Sequence, residues 1–487
     1  MHLLKHPLFF LIIIILASFW IRQYRVNIPL GDWHSWRQVD TAAVSRNFIK
    51  EGFDFLHPRY DDMAPVSEDH RPNPNRLRFV EFPIYSATVA LVYLALDNVE
   101  VIYGRQVSVF FSLCSIVFLY LLVKKFLGVR IALISSLFFG FLPYNIYFSR
   151  VFLPEPMMIF ASLAALYFFV RYLEMEKQKS NTLKGVLFFI LTTLLLNVTL
   201  LTKPYLLYLA IPMMYLSYHY LGIRAVINLR LYLLAFMSVA PLMAWRTWML
   251  QFPEGIPSAD WLFNKDNIRY KGAFLHWIIG ERLGREILTV GGFFLTTIGV
   301  FLKPKQGQTY FFHWWLLSVC LYVVILASGN VEHDYYQVPL VPILVIMMAK
   351  GVDFLIFESN RYFIRWITVP ATFFLILLTF ALGWYEVRGF YQINNGEIMQ
   401  AGDVARKILP KDAKVIAPYG RNTALLYQLG RPGWSSVYVP IDELIKLGAT
   451  HYVSVNFDAQ TNDVMKKYKV IHQTPAFVIV DLTYTNY

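Results

Sequence analysis

The chain has 487 residues, 57% of them hydrophobic and only 16% charged, with a mean hydropathy of +0.46. Soluble proteins carry roughly 25% charged residues, so a soluble enzyme is excluded, and apolar runs recurring from Leu8 to Trp384 mark a polytopic α-helical membrane protein. The net charge of +12 reads as basic residues gathered in short loops, not as a nucleic-acid footprint, and no nucleic-acid partner is expected.

The first apolar run, Pro7 to Ile21, follows Lys5 and His6. It has the look of a signal peptide, but Arg22, Gln23, Tyr24 and Arg25 stand where a small-residue cleavage site would be, so an uncleaved anchor is expected. Further spans are expected near 105–123, 130–148, 155–173, 184–201, 204–221, 230–249, 286–302, 311–329, 336–356 and 365–385. That makes about 11 spans, at most about 13, each needing about 20 apolar residues. Lys124, Lys125 and Arg130 occupy one loop, Lys177, Lys179 and Lys184 the next; Arg224 and Arg230, Lys303 and Lys305, and Arg361 and Arg365 follow. All fall on one side if the N-terminus is cytoplasmic, as short basic loops require. The stretch 83–97 must then lie on the outer leaflet as an interfacial helix, which its shortness and tyrosines suit. Cys114 and Cys320 sit inside apolar runs and read as packing residues.

The expected organisation is therefore a membrane module over 1–390 and a soluble extracytoplasmic α/β domain over 391–487. The module carries outer loops at 24–82 and 251–285. The tail reads as helices at 398–408, 422–429, 441–447 and 460–467, and strands at 415–418, 452–456, 470–471 and 477–481. It has no glycine-rich phosphate loop, and the chain shows no internal repeats.

Charged groups gather at the outer ends of the spans. In Gly31-Asp-Trp-His-Ser-Trp-Arg-Gln-Val-Asp40, a helix opened by Trp33 would put His34, Arg37 and Asp40 on one face. A carboxylate there can take a proton or orient a nucleophile; the plainer alternative is an Arg37–Asp40 salt bridge. Asp32 is a second acid in this loop. Glu81 precedes the proline that opens the interfacial helix, and either caps that helix or takes part in chemistry. Arg150 and Glu155 fall between two spans, where charge is costly. Lys203, in Leu201-Thr-Lys-Pro-Tyr205, either snorkels to the interface or presents a point charge to a phosphate. His333, Asp334 and Tyr335 close another span, with an aromatic belt as the alternative. Gathering on one face, these groups predict a cleft at the membrane surface for a substrate with an anionic head and a lipid tail.

The order of these stations resembles the GT-C glycosyltransferases, in the branch of dolichyl-phosphate-mannose protein mannosyltransferases and lipid A aminoarabinose transferases. It comprises an anchor, a long acidic outer loop, an interfacial helix entered through Glu-x-Pro, a span ending in Lys-Lys-Phe-Leu-Gly, an acidic-proline station, Leu-Thr-Lys-Pro and a His-Asp-Tyr-Tyr span. The similarity covers about 1–385. It implies an inverting transfer from a polyprenyl-phosphate sugar to a protein, glycan or lipid acceptor. Asp40 is then the match for the base, with Asp32 as its rival and Glu81 and Glu155 as further acidic stations. Lys203 matches the lysine that meets the lipid phosphate, supported by Arg150 and His333. The family's adjacent Asp-Glu would fall on Arg37-Gln38, which displaces the acid here. The resemblance implies no nucleotide sugar, and no cofactor is assigned. A divalent metal stays open, with His34, Glu81 and His333 as ligand candidates that lack metal-site spacing. Membrane lipids surround the module, and a prokaryotic plasma membrane is the expected location. The rival reading is a lipid or solute transporter or flippase, which would favour paired repeats and charges at mid-membrane.

Overall fold

The structure, a computed structural model, describes residues 6–179 and 182–486, without the side chain of Arg361. Lys5, expected to flank the anchor, and Tyr487 at the end of the tail lie outside the described residues. The chain divides into two units. One holds the stretch up to Val26, Arg105–Ala244 and Ala259–Gly389; the other holds Asn27–Gly104, Trp245–Ser258 and Phe390–Tyr487.

The first unit is helical. Among the described residues seven helices, Val101–Leu127 and Glu155–Lys177 included, are long and apolar enough to cross a bilayer. Gly272–Ile287 and Thr289–Phe301, bent by 110° at Leu288, make an eighth if they form one broken span. The other expected spans are the helices Pro7–Ile21, Val129–Phe141 and Phe311–Ile325, of 15, 13 and 15 residues. A helix of that length covers only about 20–23 Å. Two of them continue after a break: Leu142, turned extended by the proline after it, leads into Pro143–Phe148, and Leu326 leads into Ala327–Glu332. The protein is thus an integral membrane protein with the eleven expected apolar helices present, some of them interrupted. Small residues let the helices close up. A Cβ on Gly299 would run into the Met347 carbonyl, and one on Gly351 into that of Leu295. The helices Thr289–Phe301 and Val341–Phe357 therefore meet backbone to backbone.

The second unit joins the tail to the first outer loop. Its sheet has five strands in the order β2-β1-β3-β5-β4, with β1 Val415–Ile416, β2 Gly433–Trp434, β3 His451–Ser454, β4 Tyr468–Gln473 and β5 Val478–Thr485. β1 runs parallel to β2 and β3, while β5 is antiparallel to β3 and β4. The helices Gly396–Ile408, Ala424–Leu429, Ile441–Lys446 and Ala459–Lys467 alternate with the strands. β2 is missing from the sequence reading. It is two residues long and begins with a glycine, which packs so close to Val415 that no Cβ fits.

The tail does not fold apart from the loop. Asp62 bridges Gly433 in parallel, the Met63 amide donates to the Gly433 carbonyl at 2.6 Å, and the Gly433 amide donates to the Asp61 carbonyl at 3.0 Å. Residues 61–63 thus extend the sheet beyond β2. Met63 and Ala64 join the core of Ile416, Trp434, Tyr452 and Val480. Ahead of them runs the helix Ser35–Glu51, whose Ala43, Val44 and Phe48 pack on Ala87 and Ala90 of the helix Ile84–Leu96. The latter falls where the interfacial helix is expected. It has 13 residues, and its far face leaves Leu91, Leu94 and Leu96 more than half exposed. One face on protein and one apolar face outward is what a leaflet surface asks for.

Candidate functional site

In the second unit, two carboxylates and two guanidinium groups line one small pocket: Asp40, Glu81, Arg37 and Arg78. Its volume, about 20 Å³, admits a group the size of one water. Arg37 grips Glu81 through Nη2, 2.6 Å from Oε1 and 2.5 Å from Oε2, and its Nη1 donates to Thr41 Oγ1 at 3.2 Å. Arg78 Nη2 lies 2.8 Å from Asp40 Oδ2, and Thr423 of the tail donates to Asp40 Oδ1 at 2.6 Å. Both oxygens of Asp40 are therefore held, one by the loop and one by the tail, and its carboxylate has a fixed aim. Burial works to lower the Arg78 pKa, but the Asp40 carboxylate and then Tyr60 more than offset this and hold it above its ordinary value. Tyr60, whose ring lies 5.2 Å from the Arg78 guanidinium, is pushed well up by burial and by Asp62.

This geometry corrects several readings. Arg37 does not pair with Asp40; it reaches Glu81, and Arg78 takes Asp40 instead. Spacing of three along a helix makes a contact available, but Arg37 Nη2 instead reaches both oxygens of Glu81 while Nη1 donates to Thr41. Glu81 does not cap the interfacial helix, whose N-cap is Pro83 with no side-chain cap bond. His34 is not on the helix face. The helix begins at Ser35, two residues later than expected, and His34 stands before it with φ +55°, its ring edge-on to Trp33 and Trp36. Arg78 and Thr423 were missed. Arg78 lies three residues before Glu81 and was open to the same pairing argument, whereas nothing local singles out Thr423.

Asp32 is buried and accepts from Gln38 Nε2 at 2.8 Å. With Trp33, His34, Asn394, Asn395 and Tyr419 it lines a separate, open cleft of about 280 Å³. Trp33 is stacked on Phe390, their ring centroids 5.0 Å apart. Amides, an acid and aromatic rings suit a polar guest.

In the first unit, Lys203 and Glu155 come together, Nζ 3.3 Å from Oε1, and both are buried. Pro204 explains the lysine: a residue before proline is driven extended, so Lys203 leaves the helix Leu183–Thr202 at φ −146° and ψ 106°. It sits at that helix's C-terminal end, and Glu155 opens the helix Glu155–Lys177, so each charge suits its helix dipole. The snorkelling alternative for Lys203 does not hold, because its side chain is 7% exposed. Tyr205, the next residue but one, packs against Tyr322 and Tyr336 at 5.1 and 5.8 Å. His333 lies over Tyr335 and Tyr336 and meets Trp261 edge-on. The Asp334 carbonyl accepts from Tyr144 at 2.5 Å. Arg150 donates from Nη1 to the Arg25 carbonyl at 2.9 Å and lies over Tyr147, tying the anchor's end to the Glu155 region. Among the described residues, no three His, Cys, Asp or Glu side chains gather to hold a metal ion.

Residues 77–231 match the family model of dolichyl-phosphate-mannose-protein mannosyltransferase. No curated protein is similar in sequence. The fold is similar to solved structures of ArnT from Cupriavidus metallidurans. The apo form has a TM-score of 0.62 at 13% identity over 96% of this chain and 97% of that one, and the form bound to undecaprenyl phosphate scores 0.59 at the same identity and coverage. The apo oligosaccharyltransferase of Archaeoglobus fulgidus has a TM-score of 0.60 at 12% identity, over 92% of this chain and 69% of that one.

Proposed function

We propose that this chain, a member of the GT-C glycosyltransferase superfamily in its mannosyltransferase and ArnT branch, moves a sugar from a polyprenyl-phosphate donor to an acceptor on the extracytoplasmic face of the membrane. The observation that carries the reading is the family match over 77–231, which contains Arg78, Glu81, Arg150, Glu155 and Lys203. ArnT was solved with undecaprenyl phosphate, and the Archaeoglobus fulgidus enzyme AglB with dolichol-phosphate and an inhibitory peptide. Both support a lipid-phosphate donor here, and the glycosyltransferase reading is favoured over a transporter.

Asp40 takes the proton from the acceptor hydroxyl or amine as that atom attacks the anomeric carbon; the bond from that carbon to the phosphate oxygen breaks, and configuration inverts. Thr423 and Arg78 aim the carboxylate, while Arg37 holds Glu81 as a second acid in the same pocket. Asp32, beside the amide-lined cleft, is the alternative base, and that cleft supports an acceptor rich in hydroxyl or amine groups. The leaving lipid phosphate gains negative charge in the transition state, and Lys203, steadied by Glu155, supplies the cation that meets it. Arg150, His333, Asp334 and Tyr335 shape that site. The loop charges support a cytoplasmic N-terminus and an extracytoplasmic tail, and a prokaryotic plasma membrane is the location we propose.

The test is transfer from a labelled polyprenyl-phosphate sugar by the purified full chain. Asp40→Asn should abolish turnover while the lipid still binds, and Lys203→Met should raise the donor KM. Full activity of Asp40→Asn rejects Asp40 as base. Movement of the lipid across vesicles with no transfer from any donor would restore the flippase reading.

A further inference from the structure

A second cavity lies wholly within the first unit. It occupies about 540 Å³ near the C-terminal end of the helix Val341–Phe357. That is within the size range of ligand sites, roughly 300–1,000 Å³.

Its charges are unequal. Asp353 is matched by Arg130, whose Nη2 lies 3.0 Å from Oδ2, and Glu358 by Lys305. Lys350 and Lys303 also line the cavity, and among the described residues no carboxylate pairs with either. Lys350 is the telling group. It is 7% exposed, and its Nζ donates to the Leu302 carbonyl at 3.2 Å and lies 3.9 Å from Met347 Sδ. An ammonium has three protons to place. One carbonyl and one weak sulfur acceptor leave donor capacity unused at the cavity wall. An ionised group inside a span is costly unless it is paired or faces a polar site. Leu127, Ile131 and Phe354 add apolar lining to the same cavity. Unpaired lysines set among apolar side chains suit an amphiphile with an anionic head. Basic pockets between spans on the cytoplasmic side take lipid phosphates, and the loop-charge reading puts Lys303 and Lys305 on that side.

We propose that this cavity binds the phosphodiester headgroup of an anionic phospholipid from the cytoplasmic leaflet, with Lys350 and Lys303 on the phosphate and the acyl chains against Leu127, Ile131 and Phe354. The site stands apart from the sugar-transfer groups and does not rest on that function.

The experiment is native mass spectrometry of the full chain in detergent micelles, with phosphatidylglycerol or phosphatidylcholine added. Phosphatidylglycerol should be retained in preference. Lys303→Gln, at an exposed position, should cut its retention about fivefold, the effect of one lysine near an anionic head, and Lys350→Met at least as much. Inorganic phosphate at equal concentration should not displace the lipid. Equal retention of the two lipids would overturn the proposal, and so would an unchanged preference in Lys303→Gln. Displacement by inorganic phosphate would make this a site for free anions and reject the lipid. Should Lys350→Met fail to fold, Lys303→Gln alone decides.

Discussion

Removing Arg78 tests the acid pocket directly. In Arg78→Met the Asp40 carboxylate, 3% exposed, keeps Thr423 but loses its cation. Two unit charges about 4 Å apart interact by about 4 kcal/mol at an effective dielectric of 20. Breaking a buried pair from one side costs about 3–5 kcal/mol, because the stranded charge stays desolvated. For a unit of this size each kcal/mol shifts the melting temperature by about 2–4 °C, so a fall of roughly 10 °C is expected. Asp40→Asn in the same chain removes the stranded charge while leaving an oxygen for Thr423. The double variant should therefore recover much of the loss, with a coupling energy of about 1–3 kcal/mol. Protease cleavage of the loop 53–76 against temperature, in the purified full chain, reads the second unit without interference from the spans. If the double variant melts as low as Arg78→Met, or if Arg78→Met melts with the parent, the pair does not hold this pocket.

Asp62 gives a pH signature. Burial raises its pKa above the ordinary value, against hydrogen bonds from Ser435 and Ala64 and with a contribution from Asp40. An acid whose folded pKa exceeds its unfolded one stabilises below the unfolded value, about 3.9, and loses that contribution as pH rises through the folded value. The second unit should thus gain stability on acidification across that interval, and Asp62→Asn should flatten the slope; equal slopes in parent and variant would count against it. Gly433→Ala puts a methyl into Val415 and should cost at least about 1–3 kcal/mol, seen as early proteolysis of the tail, while parent-like resistance would contradict the close packing. A chain cut before Phe390 removes Thr423 from Asp40 and Tyr427 from Arg46. Its first loop should become protease-sensitive with the spans still inserted, and a loop as resistant as in the full chain would refute the shared core.

Much of this was legible from pattern. Apolar length located the spans, and strand-helix alternation located the tail elements to within a few residues. Leu-Thr-Lys-Pro placed Lys203, because proline's effect on its predecessor is local. What stayed hidden was long-range. Arg37 and Glu81 are 44 residues apart, and Thr423 and Asp40 are 383 apart. Spacing along one helix ranks only neighbours, so it offered Arg37 to Asp40. The two-residue β2 has too little side chain to leave a periodic signal. The joining of loop and tail was equally invisible, since a sheet edge at 61–63 borrows its partner from Gly433.

That shared sheet edge sets an order of events. Residues 27–104 are made before the intervening spans, yet the strand beside Asp62 and the hydroxyl that holds Asp40 follow those spans. Every intervening span must be inserted before the tail can close on the loop. The Asp40 carboxylate is therefore not aimed until the tail has been made, and a product clipped before Phe390 would hold it from the loop side alone.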